Sequence, residues 1–363
     1  MNALKAEIVE LIRQEGPIGI GRYMALALGH PRHGYYMTRD PFGQEGDFTT
    51  APEISQMFGE LIGLWAAHLW QAMGTPSRLR LIELGPGRGT LMADMLRATR
   101  IVPGFREAVS VHLVETNPVL RERQAAALKG IDPVWHDNVG DALSGPVIVV
   151  ANEFLDALPL DQFVMTPEGW RARLVGLDAD GGLAFGLAAA REETLHIAGP
   201  AGATFEQPSL ALDIVRQIAS HVAAEGGAAL FIDYGSARSG FGDTLQAMKR
   251  HGFVDPLAEP GEADLTVHVD FERMGQAALK AGAALHGPAS QRDFLLALGL
   301  AQRAQALSLK AAPDQQAAIS AAFDRLTEEG ETGMGDLFKV FALSHPGLPP
   351  LPGFDLHRLP EQG

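Results

Sequence analysis

The chain alternates short, continuous apolar runs with stretches in which apolar residues recur every third or fourth position. The runs are Leu79–Leu84, Val111–Glu115, Pro133–His136, Val147–Ala151, Ala228–Asp233, Ala284–Gly287 and Phe338–Leu343. Their length and the lack of polar alternation in the central ones predict parallel strands covered on both faces. Thr90–Ala98, Val119–Leu128, Ser209–Ala224 and Phe271–Ala281 carry the helical period between them. Such alternation predicts an α/β fold, a doubly wound and mostly parallel seven-stranded sheet of the Rossmann-like kind.

Other segments depart from that rhythm. Pro52–Met73 places Ile54, Met57, Phe58, Leu61, Ile62, Trp65, Leu69 and Trp70 on one face, which predicts a single amphipathic helix whose Trp and Met stripe belongs to the core. Leu160–Ala188 predicts a small antiparallel meander with turns at Pro167–Gly169 and Asp178–Gly182. Gln291–Glu329 is rich in Ala and Leu and predicts a helical cover, whereas Ile101–Ala108 reads as an extended loop. The expected division is an N-terminal helical region and lid over residues 1–78 and a core over 79–363. Insertions are expected at about 157–208 and 288–335.

Composition narrows the function classes. The 363 residues are 46 % hydrophobic, enough for a substantial core. A formal net charge of −15 supplies no basic stripe for phosphates, so no nucleic-acid partner is expected. The absence of cysteine excludes disulfides, thiolate metal sites and cysteine nucleophiles. The twelve histidines show no metal-ligand spacing, and no metal is expected. No apolar stretch reaches the roughly 20 residues of a membrane span, so no membrane insertion is expected. The start, Met1-Asn-Ala-Leu-Lys-Ala-Glu-Ile-Val-Glu-Leu-Ile12, is an amphipathic helix and not a targeting leader, which suggests a bacterial cytoplasm.

The chemistry begins at Leu79–Thr90. The predicted strand stops at Gly85-Pro86-Gly87-Arg-Gly89-Thr90 and a helical pattern follows at once. That order places a nucleotide-like ligand at the carboxyl end of a strand, with glycine allowing close backbone approach. A dinucleotide fingerprint needs Gly or Ala at position 90, where this chain has Thr90. A phosphate cradle needs N–H donors and no anion, yet Pro86 removes a donor and Glu83 adds a charge. S-adenosylmethionine offers an ammonium to Glu83, so the turn reads as a methyl-donor site; the alternative is an ordinary tight strand–helix connection.

Further candidates fall at later strand ends. Glu115 can accept both ribose hydroxyl protons, or cap the helix that starts near Pro118. Asp137 and Asn138 could meet the adenine edge or simply form a turn. Asn152, Glu153 and Asp156 follow the fourth core strand, where carboxylates can orient a guanidinium. Their alternative is a strand end and a short helix cap. His268 and Asp270 could position a substrate or accept a proton, or be structural with Asp270 as an N-cap. The segment containing Asp47, Thr49 and Thr50 precedes the Trp-rich helix and reads as a cap.

With these motifs in order the chain resembles the MidA-like family of class I methyltransferases. The resemblance covers most of the chain and rests on Gly34-Tyr-Tyr-Met37, Gly46–Gly59, Glu83–Thr90, Asn152–Pro159, Asp233-Tyr-Gly235 and Asp264–Phe271. It implies S-adenosyl-L-methionine as cofactor and methyl transfer to an arginine of a protein, with a complex I core subunit as the family's target. It also implies that Asp47–Thr50 join the cofactor site, and that Asn152–Asp156 and His268 face the substrate. Rival readings are methylation of a small molecule and a non-catalytic assembly chaperone; an oligomer is compatible with either.

Overall fold

The computed structural model describes residues 2–38, 50–250 and 252–354. The chain divides into two compact units: residues 49–154, 214–237 and 269–363 form one, and residues 1–48, 155–213 and 238–268 the other. The units therefore cut the chain elsewhere than at residue 78.

The first unit, the core, holds β1 (Leu79–Leu84), β2 (Val109–Val114), β3 (Val134–His136), β4 (Val147–Asn152), β5 (Gly227–Ser236), β6 (Ala284–Ser290) and β7 (Phe338–Ser344). They form a sheet in the order β6-β7-β5-β4-β1-β2-β3, and a two-residue strand, Val269–Asp270, pairs with the end of β5. The pairs β1–β2, β1–β4, β2–β3 and β4–β5 are parallel, whereas β7 runs antiparallel to both β5 and β6. The expected doubly wound, mostly parallel sheet is thus present, with one strand inverted. Val147–Val150 and Ala228–Ile232 are fully buried, which is why their sequence is apolar without alternation.

Helices α1 (Gln56–Ala72), α2 (Thr90–Ala98), α3 (Pro118–Ala127), α4 (Ser209–Glu225) and α5 (Phe271–Lys280) accompany the sheet. The predicted 52–73 helix is two: Ala51–Ile54 ends at Ser55, whose backbone is extended and whose side chain accepts from Met57 N to start α1. A serine that caps a new helix competes with continuing the old one. The Trp and Met stripe packs into the core, with Trp70 edge-on to Phe105 at 5.6 Å between centroids. Residues 101–108 are not an extended loop, since Thr99–Ile101 is a 3₁₀ turn and Phe105–Ala108 a helical turn anchored by fully buried Phe105. Buried Glu60 on α1 receives Arg97 of α2 at 2.7 Å and Arg303 of the helix Leu300–Ser308 at 2.6 Å. The helical cover consists of Gln291–Ala297, Leu300–Ser308 and Pro313–Leu326.

The second unit is built on helices Ala3–Glu15 and Ile20–Gly29 and the meander strands Asp161–Thr166, Gly169–Leu177 and Leu183–Leu187. Ile18–Gly19 pairs with Gly169–Leu177 and Thr204–Gln207 with Asp161–Thr166, giving five antiparallel strands. Ile8, Ile20, Tyr23, Met24, Tyr35 and Val175 form its own hydrophobic core. No helix among the described residues is long and apolar enough to cross a membrane.

Candidate functional site

The strand order reverses at β1 and β4, neighbours in register from Arg80↔Val147 to Leu84↔Ala151. In an open α/β sheet the crevice beyond the carboxyl ends of two such strands is where ligands bind. The turn after β1 and the residues after β4 therefore lie side by side in the core unit.

The turn itself is shaped for close approach. Gly85, Gly87 and Gly89 have φ of 59°, 51° and 84°, the left-handed region that side-chain-bearing residues avoid. Gly89 is the N-cap of α2 and has no side chain to occupy the helix's free N–H groups. A Cβ on Gly85 would sit 3.0 Å from the Phe154 ring, so the residue after Glu153 closes directly on the turn. Glu53, from Ala51–Ile54, accepts from Thr90 Oγ1 at 2.5 Å and faces Arg88 at 3.7 Å. The short helix is thereby tied to the turn.

Glu83 is the most perturbed group in the site. Burial, only partly offset by Met92 N–H, pushes its carboxyl up to about 8. Its Oε2 has no hydrogen-bond partner among the described residues. A buried acceptor of this kind is costly unless something donates to it, and an ammonium group fits that need.

Glu115, just beyond β2, is half-buried and held at both oxygens. Oε1 accepts from Asn117 N at 2.8 Å and Oε2 from Gln124 Nε2 at 3.2 Å. Burial raises its carboxyl, and these hydrogen bonds with Arg121 pull it back. The cap of α3 is Asn117, which accepts from Val119 and Leu120 N. Glu115 is thus free of the capping duty that its sequence position allowed.

After β3, Asp137 is exposed and pairs with Arg121 at 2.6 Å. Asn138 caps the turn Val139–Ala142 through Asp141 N. After β4, Asn152 donates to Glu153 Oε1 at 2.9 Å, while its Oδ1 is buried with no hydrogen-bond partner among the described residues. Glu153 has φ of 52°, a left-handed conformation strained for a non-glycine residue, and its carboxylate also accepts from Ala51 N at 3.3 Å. Asp233, at the end of β5, accepts from Phe154 N at 3.1 Å and Tyr234 N at 3.0 Å, fixing the chain that leaves β4. Thr50 is buried at the N-cap of Ala51–Ile54, but its side chain makes no capping bond. Asp47 and Thr49 lie outside the described residues.

Asp156 and His268 belong to the second unit. Asp156 is buried, and its carbonyl accepts from Val267 N at 3.0 Å. Its charge, with that of Asp264 and above all burial, raises the Tyr36 phenol well above its ordinary value; Tyr36 donates to Asp264 at 2.8 Å. His268 N donates to Thr244 Oγ1 at 2.9 Å, and burial lowers the imidazole's pKa so that it stays neutral. Asp270 belongs to the core unit and caps α5 by accepting from Arg273 N, which is its structural alternative.

Sequence reasoning missed Gln124, Glu53 and Phe154. Gln124 carried a signal: it lies on the buried stripe Leu120-x-x-x-Gln124-x-x-x-Leu128, a polar residue where the period calls for an apolar one. Glu53 and Phe154 carried none, since neither breaks a pattern.

A Rossmann-like sheet with one inverted strand, a glycine turn at the switch point and buried acidic groups at the strand ends defines a class I S-adenosylmethionine-dependent methyltransferase. Residues 61–289 match the family described as "Putative S-adenosyl-L-methionine-dependent methyltransferase", and the chain belongs to it. Among its relatives are the human "Protein arginine methyltransferase NDUFAF7, mitochondrial", 36 % identical over 92 % of this chain and 81 % of that protein, and its Drosophila melanogaster homologue, 35 % identical over 95 % and 85 %. A crystal structure of a Burkholderia thailandensis protein bound to S-adenosyl-homocysteine is 31 % identical, with a TM-score of 0.84 over 97 % of this chain and 94 % of that one. S-adenosylmethionine is the methyl donor of the present protein, and unpartnered Glu83 Oε2 beside the glycine turn fits it.

Proposed function

We propose that the protein methylates an arginine side chain of a protein substrate, with a respiratory complex I core subunit or its bacterial equivalent as the target. The observation that carries this is Asn152 Oδ1, a buried acceptor with no hydrogen-bond partner among the described residues, beside the strained Glu153 carboxylate. Such a pair asks for N–H donors, and a guanidinium presents five in a planar fork. Support from sequence is the similarity, over most of the chain, to relatives named protein arginine methyltransferases.

S-adenosylmethionine brings a methyl carbon already activated by its sulfonium, so positioning supplies most of the catalysis. Glu83 and the turn Gly85-Pro86-Gly87-Arg88-Gly89 receive the methionine moiety, Glu115 the ribose hydroxyls, and Thr50 with Asp47 and Thr49 completes the cofactor site. Asp137 and Asn138 are proposed for the adenine edge, Asp137 from its ion pair with Arg121 and Asn138 from its bond with Asp141. Asn152 and Glu153 draw the guanidinium's charge away from the attacking nitrogen. Asp156 and His268, which belong to the second unit, are proposed as acceptor-facing residues.

The test is mass spectrometry of arginine methylation in a deletion strain. A methylarginine peptide should disappear, and should return with the wild-type gene but not with Glu153→Gln. Transfer of labelled methyl only into the small-molecule fraction would overturn the reading in favour of the small-molecule alternative.

A further inference from the structure

One fully buried side chain joins the glycine turn, Glu115 and the third strand of the core unit. Gln124, on α3, donates from Nε2 to Gly87 O at 2.8 Å and to Glu115 Oε2 at 3.2 Å. Its Oε1 accepts from Trp135 Nε1 at 2.8 Å. The amide's orientation follows from its partners and not from atom assignment. An indole N–H only donates, so it must take the amide oxygen, and the NH₂ is left for a carbonyl and a carboxylate, both acceptors. Flipping the amide would set three mismatched pairs at once. The Cα of Gln124 also lies 3.3 Å from where a Cβ of Gly89 would stand, so α3 and the turn are packed without slack.

Leu120 and Leu128, one α-helical repeat either side, fill the same stripe with apolar atoms. A leucine or methionine at 124 would satisfy packing equally, at no desolvation cost. The glutamine is therefore unexplained by the core and explained by what it holds. Glu115 sits in a half-buried place where its carboxylate must be aimed, and Trp135 lies in β3, the strand beside β2.

We infer that Gln124 is a positioning residue that sets the Glu115 carboxylate against the ribose hydroxyls and locks it to the glycine turn and to Trp135. It touches no ligand itself and acts through Glu115. The inference rests on Glu115 as the ribose acceptor.

Affinities of the full-length protein for S-adenosylhomocysteine and for its 2′-deoxyribose analogue, measured by calorimetry, test it. The ratio of the two reads ribose recognition, which a purely structural role would leave alone. Gln124→Met should weaken S-adenosylhomocysteine about tenfold, the usual effect of losing one hydrogen bond to a charged group. It should also shrink the ribose ratio. Glu115→Gln should shrink that ratio too, and the double variant should be no worse than Glu115→Gln alone. Should Gln124→Met fail to fold, Gln124→Leu fills the stripe as Leu120 and Leu128 do while removing both donors, and the same loss is expected.

If Glu115→Gln loses ribose discrimination while a folded Gln124 variant keeps it, the positioning role is overturned and the ribose role stands. Unchanged discrimination in Glu115→Gln overturns the ribose role, and the inference falls with it.

Discussion

Glu83 holds its proton through the neutral range because burial outweighs the one backbone donor it has. A ligand ammonium reverses that balance, since an opposite charge nearby favours the carboxylate. Binding below pH 8 must therefore release a proton. Affinity for S-adenosylhomocysteine should tighten by up to about tenfold per unit between pH 6 and 8, and calorimetry in two buffers of different ionisation enthalpy should show close to one proton released at pH 7. Glu83→Gln should abolish that slope. Without ligand the sign reverses: the unfolded carboxyl ionises near its ordinary value of 4.5 and the folded one only near 8, so stability falls as pH rises between them and is flat above. At Gly89, whose φ is 84°, alanine would be strained whatever space it finds. Gly89→Ala should cost about 1 kcal/mol in urea unfolding and weaken cofactor binding.

At the scale of elements, α1 and α2 approach so closely that two glycines stand at the contact. A Cβ on Gly63 would lie 2.6 Å from the Met95 Cα and backbone oxygen, and one on Gly59 2.6 Å from the Asp94 Cβ. Backbone cannot give way as a side-chain tip can, so Gly63→Ala must displace α2, which starts directly at the glycine turn. We expect a loss of about 1–3 kcal/mol in chemical denaturation together with weaker S-adenosylhomocysteine binding, whereas Leu64→Ala, next to it and facing solvent, should change neither. The Ser55 break works at this scale too. It ends one helix and caps the next, and leaves Glu53 free to engage Thr90 and Arg88.

For the whole molecule, each unit has a hydrophobic cluster of its own, and the core unit buries further apolar residues along its strands. Phe231, fully buried in the middle of β5, stacks on Phe341 of the antiparallel β7 with centroids 4.8 Å apart. Phe231→Ala should cost about 3–5 kcal/mol, read as a lower urea midpoint for the core unit. The inverted β7 also answers a question of sequence pattern. Its residues are as apolar as those of parallel strands because it is flanked by strands on both edges and buried.

The strands, most of the helices and the glycine turn were legible in the sequence, because period and glycine placement are local properties of the chain. So was the place of Glu115 directly after a strand. Local pattern also left open whether Glu115 caps the helix near Pro118 and whether Asn138 forms a turn. Only tertiary contacts decided them, because a capping bond depends on which N–H the folded backbone presents. The same holds for Ile18–Gly19 joining Val175 and Leu174, pairs separated by most of the meander and the first core strands. Nothing within a few residues of Ile18 encodes such a partner. What the sequence by itself determined is a doubly wound sheet with a glycine turn at its switch point. What only the tertiary structure decided is how the polar side chains there are bonded: Glu83 and Asn152 keep an oxygen without a hydrogen bond among the described residues, while Asp137 pairs with Arg121 and Asn138 caps a turn. The physical reason is that residue type sets what a group can bond, and only packing sets what it has already bonded.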